Sequence, residues 1–147
     1  MITLRPMTEA EFRRYLRRAV PDGAHHYLAA LLPGGPTTPW QFFCHIRAAG
    51  IAEPVGHVWF SVIGRGRGRL VYIYDLAVYP AFRRRGFATQ ALQRLETWAR
   101  ALDAALIVLH LAEANSGAAA LYRKCGYQFD GLWASKDLRP GEAPQEA

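Results

Sequence analysis

Apolar and polar positions alternate over Ile2-Thr3-Leu4-Arg5, the period of a strand with one buried face. Pro6 closes that run. Thr8-Glu9-Ala10-Glu11 has the form of a capping box: the Thr8 hydroxyl accepts from an orphan helix N–H and Glu11 reaches back. The spacing then predicts a helix over 8–19, with Phe12, Tyr15, Leu16 and Ala19 on one stripe. Pro21-Asp22-Gly23 ends it. Residues 24–32 have room for one short helix before Leu32-Pro33-Gly34-Gly35-Pro36 interrupts the chain. Strands are predicted over 41–48, 55–63 and 70–78, from runs rich in β-branched and aromatic residues. The third, Leu-Val-Tyr-Ile-Tyr-Asp-Leu-Ala-Val, is almost continuously apolar, as expected of a central strand covered on both faces. A helix fits 86–102, with Ala88, Ala91, Leu92, Leu95, Trp98, Ala99 and Leu102 on one side. A short buried strand at 106–111 and a helix at 116–124 follow. Gly126 stands where a helix C-terminus takes the left-handed conformation. One or two last strands fit 127–132 and 133–138. The order is that of an α/β fold, a mixed sheet with helices on both faces.

Composition changes this picture little. A chain of 147 residues, 51% hydrophobic and 20% charged, suits one domain over 1–139 with a polar, disordered tail over 140–147. No run nears the roughly 18 apolar residues of a membrane span. The chain lacks a secretory-type start, so a cytoplasmic protein is expected. Cys44 and Cys125 make neither a disulfide framework nor a zinc pattern and are read as free thiols. His25 and His26 are adjacent, which on a helix points them about 100° apart, so no metal site is expected.

Charge is more informative. The net charge is +6, the pI about 9.7, and all but Lys124 and Lys136 of the 18 basic residues are arginine. That suits an anionic partner: nucleic acid, a phosphorylated cofactor or an acidic substrate. Gly64-Arg65-Gly66-Arg67-Gly68-Arg69 reads either as a turn between antiparallel strands or as a Gly-Arg nucleic-acid segment, and its close flanking strands favour the turn. Arg83-Arg84-Arg85-Gly86-Phe87-Ala88 lies between the central strand and the longest helix. Glycine permits close backbone approach, and the helix start offers unpaired N–H groups and a positive dipole end. This is either a pyrophosphate cradle or a solvated Arg-rich helix start. It lacks both the Gly-Lys-Ser/Thr ending of a Walker loop and the G-x-G-x-x-G of a dinucleotide fold.

The stretch from Asp75 to Ala88 resembles the acetyl-CoA signature of the GNAT (Gcn5-related) N-acetyltransferases: a strand ending Leu-x-Val-x-Pro, then Arg-x-x-Gly-x-Gly/Ala, met here by Arg83, Gly86 and Ala88. Asn115, Ala119, Tyr122, Gly126 and Tyr127 resemble the family's second signature, with the alanine spacing loose and Tyr in place of Phe. The detailed resemblance covers 71–128. It implies a central mixed sheet of six to seven strands, splayed between the fourth and fifth, and direct acetyl transfer from acetyl-CoA to a primary amine in a ternary complex, without a metal.

The resemblance also implies roles. The backbone of Leu76, Ala77 and Val78 would pair with the pantetheine arm, and the Val78 N–H would polarise the thioester carbonyl. Amides from Arg84 to Thr89, through Arg85, Gly86, Phe87 and Ala88, would hold the pyrophosphate beside Arg83. Asn115 would bond the arm. Tyr122, two helical turns further on, would protonate the leaving thiolate; a phenol is a competent positioned acid. His110, Asp75, Glu113 and a water chain remain alternatives for the base. Many relatives carry Glu at the position of Ala77. The acceptor is a small-molecule amine or a peptide N-terminus; a basic protein suits polyamines and aminoglycosides poorly. Trp40, Phe42, Trp59 and Trp133 suit an acceptor pocket or the core equally. Relatives are often dimers, so a homodimer is one expectation. The competing readings are a CoA-binding sensor of the same fold without transfer and a basic nucleic-acid module.

Overall fold

The computed structural model describes residues 1–19, 41–111 and 116–139. The short helix expected at 24–32, Trp40, the His25-His26 pair, Glu113, Asn115 and the tail from Pro140 lie outside these. The elements are β1 (Ile2–Pro6), α1 (Glu9–Ala19), β2 (Gln41–Ala48), β3 (Gly56–Ile63), β4 (Leu70–Val78), α2 (Phe87–Ala101), β5 (Leu106–His110), α3 (Ser116–Lys124), β6 (Gln128–Asp130) and β7 (Trp133–Asp137). They form a mixed seven-stranded sheet in the order β1-β2-β3-β4-β5-β7-β6. β4 and β5 run parallel and the other neighbours antiparallel. Among the described residues no helix is long and apolar enough to cross a membrane.

The capping box forms as its sequence dictates. The Glu11 N–H donates to Thr8 Oγ1 (3.2 Å) and the Thr8 N–H to Glu11 Oε1 (2.8 Å). α1 begins at Glu9 because Thr8 is its cap. Phe12 is buried and meets the Phe43 ring at 4.5 Å, which sets α1 on the face of the sheet that carries Phe43, Trp59 and Tyr72. α2 and α3 cover the opposite face, where Cys44, Val58, Phe60, Val71, Ile73, Ile107 and Leu109 pack with Leu92, Leu95, Ala99 and Tyr122. Helices flank both faces, as expected. A buried polar group locks the second layer: Glu96 of α2 accepts from the Tyr127 hydroxyl (3.1 Å) and from Lys136 Nζ (2.9 Å).

β4 departs from expectation in one respect. Among the described residues it is not covered on both faces, for Tyr74 is exposed and Tyr72 half-buried. The register explains this. Trp59 pairs with Asp75 and Phe60 with Ile73, so Tyr74 is an extra residue in a β-bulge. The bulge turns Tyr74 onto the α1 face, where its ring stacks on Trp59 (4.4 Å) and meets Tyr72 (4.7 Å). The Gly-Arg segment is the turn: Ile63 pairs with Leu70, and a 3-10 turn over Gly66–Gly68 joins β3 to β4.

The sheet opens beyond the bulge. β4 and β5 pair from Leu70↔Leu106 to Ile73↔Leu109 and no further. β4 continues to Val78 against β3 alone, while β5 stays with β7 through His110↔Trp133. The fourth and fifth strands thus part where Asp75 begins the last stretch of β4.

Candidate active site

The opening is built from β4, the loop after it and the start of α2. Leu76, Ala77 and Val78 are half-buried and pair on one edge with Val58, His57 and Gly56. β3 approaches so closely there that a Cβ on Gly56 would collide with the Ala77 carbonyl. The other edge of these residues faces the gap. Pro80 opens a 3-10 turn, and the Arg83 Nε–H donates back to the Val78 carbonyl (2.9 Å), clamping the loop to the strand end.

Arg84 (φ 65°) and Gly86 (φ 78°) are both left-handed. The conformation is costly for Arg84 and free for Gly86, which stands at the N-cap of α2 with nothing within 4 Å of where a Cβ would sit. The first helical bond joins the Gln90 N–H to the Gly86 carbonyl, so the amides of Phe87, Ala88 and Thr89 have no acceptor inside the helix. No side chain caps them at Gly86. A cavity of about 200 Å³ lies over this end, lined by Val78, Arg83, Gly86, Ala88, Thr89 and Leu121. Phe82 and Phe87 anchor it on a cluster of Ile2, Ile46, Ala48, Val55 and Ala91. Arg83, Arg84 and Arg85 are exposed around it. Unpaired amides, a dipole end and three guanidinium groups make a place for a polyanion. A larger apolar cleft of about 530 Å³ lies between α2 and β1–β3, lined by Leu4, Phe42, Cys44, Phe60 and Trp98, away from the gap.

The candidate acid lies on α3 and the candidate bases on β4 and at the end of β5. Tyr122 is buried on α3. Burial first, then the negative charge of Asp75, pushes its phenol far above the ordinary range, so the proton stays on the oxygen. Asp75 is half-exposed on the α1 face, and its Oδ2 lies 2.8 Å from His57 Nε2. His57 Nδ1 lies 3.1 Å from the Tyr79 hydroxyl. His110, at the end of β5, is exposed with its ring edge-on to Trp133 (4.8 Å). Trp133 and Trp59 lie on this side, whereas Phe42 packs with Phe60 and Trp98 in the core of the other face. Cys44 is a buried free thiol, pushed up to about 11 by burial, and Cys125 is half-buried and free. The sequence reading missed His57 and Tyr79. The alternation of Asp75, Ala77 and Tyr79 was legible, but which β3 residue lay opposite was not.

The chain matches the acetyltransferase (GNAT) family over residues 6–127. It belongs to that family. It is similar to YycN of Bacillus subtilis strain 168, named an uncharacterized N-acetyltransferase: 29% identical over 157 residues, covering 93% of this chain and 99% of that one. The YycN crystal structure superposes with a TM-score of 0.77 at 28% identity, over 88% and 94% of the two chains. Two further structures share the fold. Arabidopsis thaliana NAA60 in complex with acetyl-CoA has a TM-score of 0.68 at 18% identity, over 93% and 98%. The ribosomal-protein-S18-alanine N-acetyltransferase of Escherichia coli has 0.72 at 15%, over 97% and 98%. Family membership makes acetyl transfer the coarse activity of this protein.

Proposed function

We propose that the protein moves an acetyl group directly from acetyl-CoA to a primary amine within a ternary complex. The observation that carries this reading is the parting of β4 from β5 beyond Ile73, with the uncapped start of α2 at its far end. In this reading the open edge of Leu76–Val78 pairs with the pantetheine arm, helped by Asn115. The Val78 N–H polarises the thioester carbonyl, a one-donor oxyanion site. The amides of Arg84 to Thr89 take the pyrophosphate, with Arg83, Arg84 and Arg85 neutralising its charge. The amine nitrogen attacks the carbonyl carbon and gives up a proton to a base on the α1 face, Asp75 or His110. The C–S bond breaks with its electron pair on sulfur, and Tyr122 protonates the thiolate. The acceptor is a small-molecule amine or a peptide N-terminus; the second is supported by a similar fold named for an alanine of a ribosomal protein.

Calorimetric titration with acetyl-CoA, CoA and ATP at two salt concentrations tests the donor. A panel of amines with free-thiol detection then tests transfer. Binding of acetyl-CoA and CoA in preference to ATP, and thiol release that requires the amine, are expected. A folded protein that binds none of the three would overturn the reading.

A further inference from the structure

β3 places His57 opposite Ala77, so the imidazole stands between Asp75 and Tyr79, the neighbours two residues to either side on the same face. The small Ala77 side chain leaves the ring room to reach both. The ring is nine-tenths buried, and the Asp75 carboxylate is 38% exposed toward the α1 face. An ionised carboxylate only accepts, so Nε2 carries the hydrogen and donates to Asp75 Oδ2 (2.8 Å). His57 Nδ1 lies 3.1 Å from the Tyr79 hydroxyl, which donates to it when Nε2 carries the single ring hydrogen. Tyr79 is itself tied down, its N–H donating to the Val55 carbonyl (2.8 Å). Each member steadies the next: the Asp75 carboxylate sets the hydrogen on Nε2, and Tyr79 holds the far side of the ring.

We propose that Asp75 is the base of the transfer and that His57 is its positioning residue, its ring held on the far side by Tyr79. This rests on the acetyl-transfer reading above. The amine N–H bond breaks with its pair left on nitrogen, which forms the C–N bond; the proton goes to Asp75 Oδ1. His57 keeps Asp75 ionised and fixed in rotamer until then. His110 stays outside the proton transfer and borders the acceptor side with Trp133.

Other titratable groups face this pair. His45 of β2 lies directly across from His57, 3.5 Å from Glu11 of α1, which also holds Arg5 of β1. Burial, the largest influence on His45, pushes it down, so it adds no full positive charge beside His57 near neutral pH. Arg47 lies further along β2, Tyr122 feels Asp75 from α3, and Tyr74 precedes it on β4.

Two readouts test the proposal. The first needs no turnover: carbon NMR of labelled aspartate follows the Asp75 carboxyl, and nitrogen NMR reads the His57 tautomer. Wild type should show hydrogen on Nε2 and a bare Nδ1. His57→Ala should raise the Asp75 titration by about one pH unit, and His57→Gln, which retains an N–H donor and covers the case where the alanine variant misfolds, should restore about half. The second is kinetic. His57→Ala should lower kcat roughly 30-fold, move the acidic limb of the profile upward and leave KM for acetyl-CoA within about two-fold. Adding it to Asp75→Asn should cost little more, because the two act as one unit. His110→Ala should keep the limb. An unmoved Asp75 titration, or independent losses in the double variant, overturns the positioning role. A limb that vanishes with His110→Ala overturns Asp75 as base. Absence of thiol release in the wild type with any amine, beside a normal Asp75 titration, would count against the acetyl-transfer reading and leave the tautomer lock standing.

Discussion

At the residue scale, environment rather than identity selects the candidate groups. Among the described residues Tyr122 and Tyr127 are both buried and both pushed upward, but the charge beside Tyr127 is Glu96, whereas Tyr122 feels Asp75. A group held protonated at neutral pH can give its proton to a departing thiolate, which a deprotonated one cannot. Tyr122→Phe should therefore lower kcat roughly 100-fold while KM for acetyl-CoA changes less than about two-fold. An unchanged kcat in steady-state assays would remove Tyr122 as the acid. Tyr122 and Arg83–Ala88 were legible because their spacing is local in the sequence. His57 was not: it lies 18 residues from Asp75, and only the β3–β4 register sets them 2.8 Å apart. The Tyr74 bulge shifts that register by one residue, and a two-residue alternation cannot reveal an inserted residue in advance.

At the element scale, the helices are tied down by few, specific polar groups. Thr8 caps α1 through the bonds with Glu11, and Thr8→Ala should cost about 1 kcal/mol in denaturant unfolding. Glu11 sits below the ordinary carboxyl range, chiefly because it accepts the Thr8 N–H. Its folded pKa is depressed, so its contribution is full above about pH 4.3 and is lost as pH falls through the depressed value. Glu11→Gln should flatten that acid limb of stability. The second anchor is Glu96, whose carboxylate joins α2 to Tyr127 and to Lys136 of β7. Glu96→Ala leaves the buried Tyr127 hydroxyl without its acceptor and the partly buried Lys136 ammonium without its counter-charge, with only the Cys125 carbonyl (2.9 Å) to accept from it. A loss of roughly 2–3 kcal/mol is expected, below the fully buried case because Lys136 is 25% exposed. The Tyr127 phenol is pushed far up, first by burial and then by the Glu96 charge. This network has no signature in hydropathy: Glu96 lies within a helix that reads as ordinary and amphipathic, and its partners come 31 and 40 residues later.

At the scale of the whole molecule, the proposed site is where the pairing of β4 with β5 stops. A ligand that bridges the parted strands and the start of α2 binds only the folded chain. Acetyl-CoA at about 100 times its Kd should thus add about 2.7 kcal/mol and raise the melting temperature by several degrees. Gly86→Glu should erase that increment, since it puts bulk and negative charge where α2 presents its amides; a normal thermal shift in the variant would sink the cradle. The fold class, most elements and the glycine start of α2 were determined by the sequence itself, because hydrophobic period, caps and turn residues act over a few positions. The family was also written there, in the two signatures. The tertiary structure alone decided the bulge at Tyr74, the layer to which each aromatic belongs, the Glu96 anchor and the pairing of His57 with Asp75 and Tyr79. Each depends on register between strands distant in sequence. Register follows from the packing of all side chains on both faces at once, which no short window of residues contains.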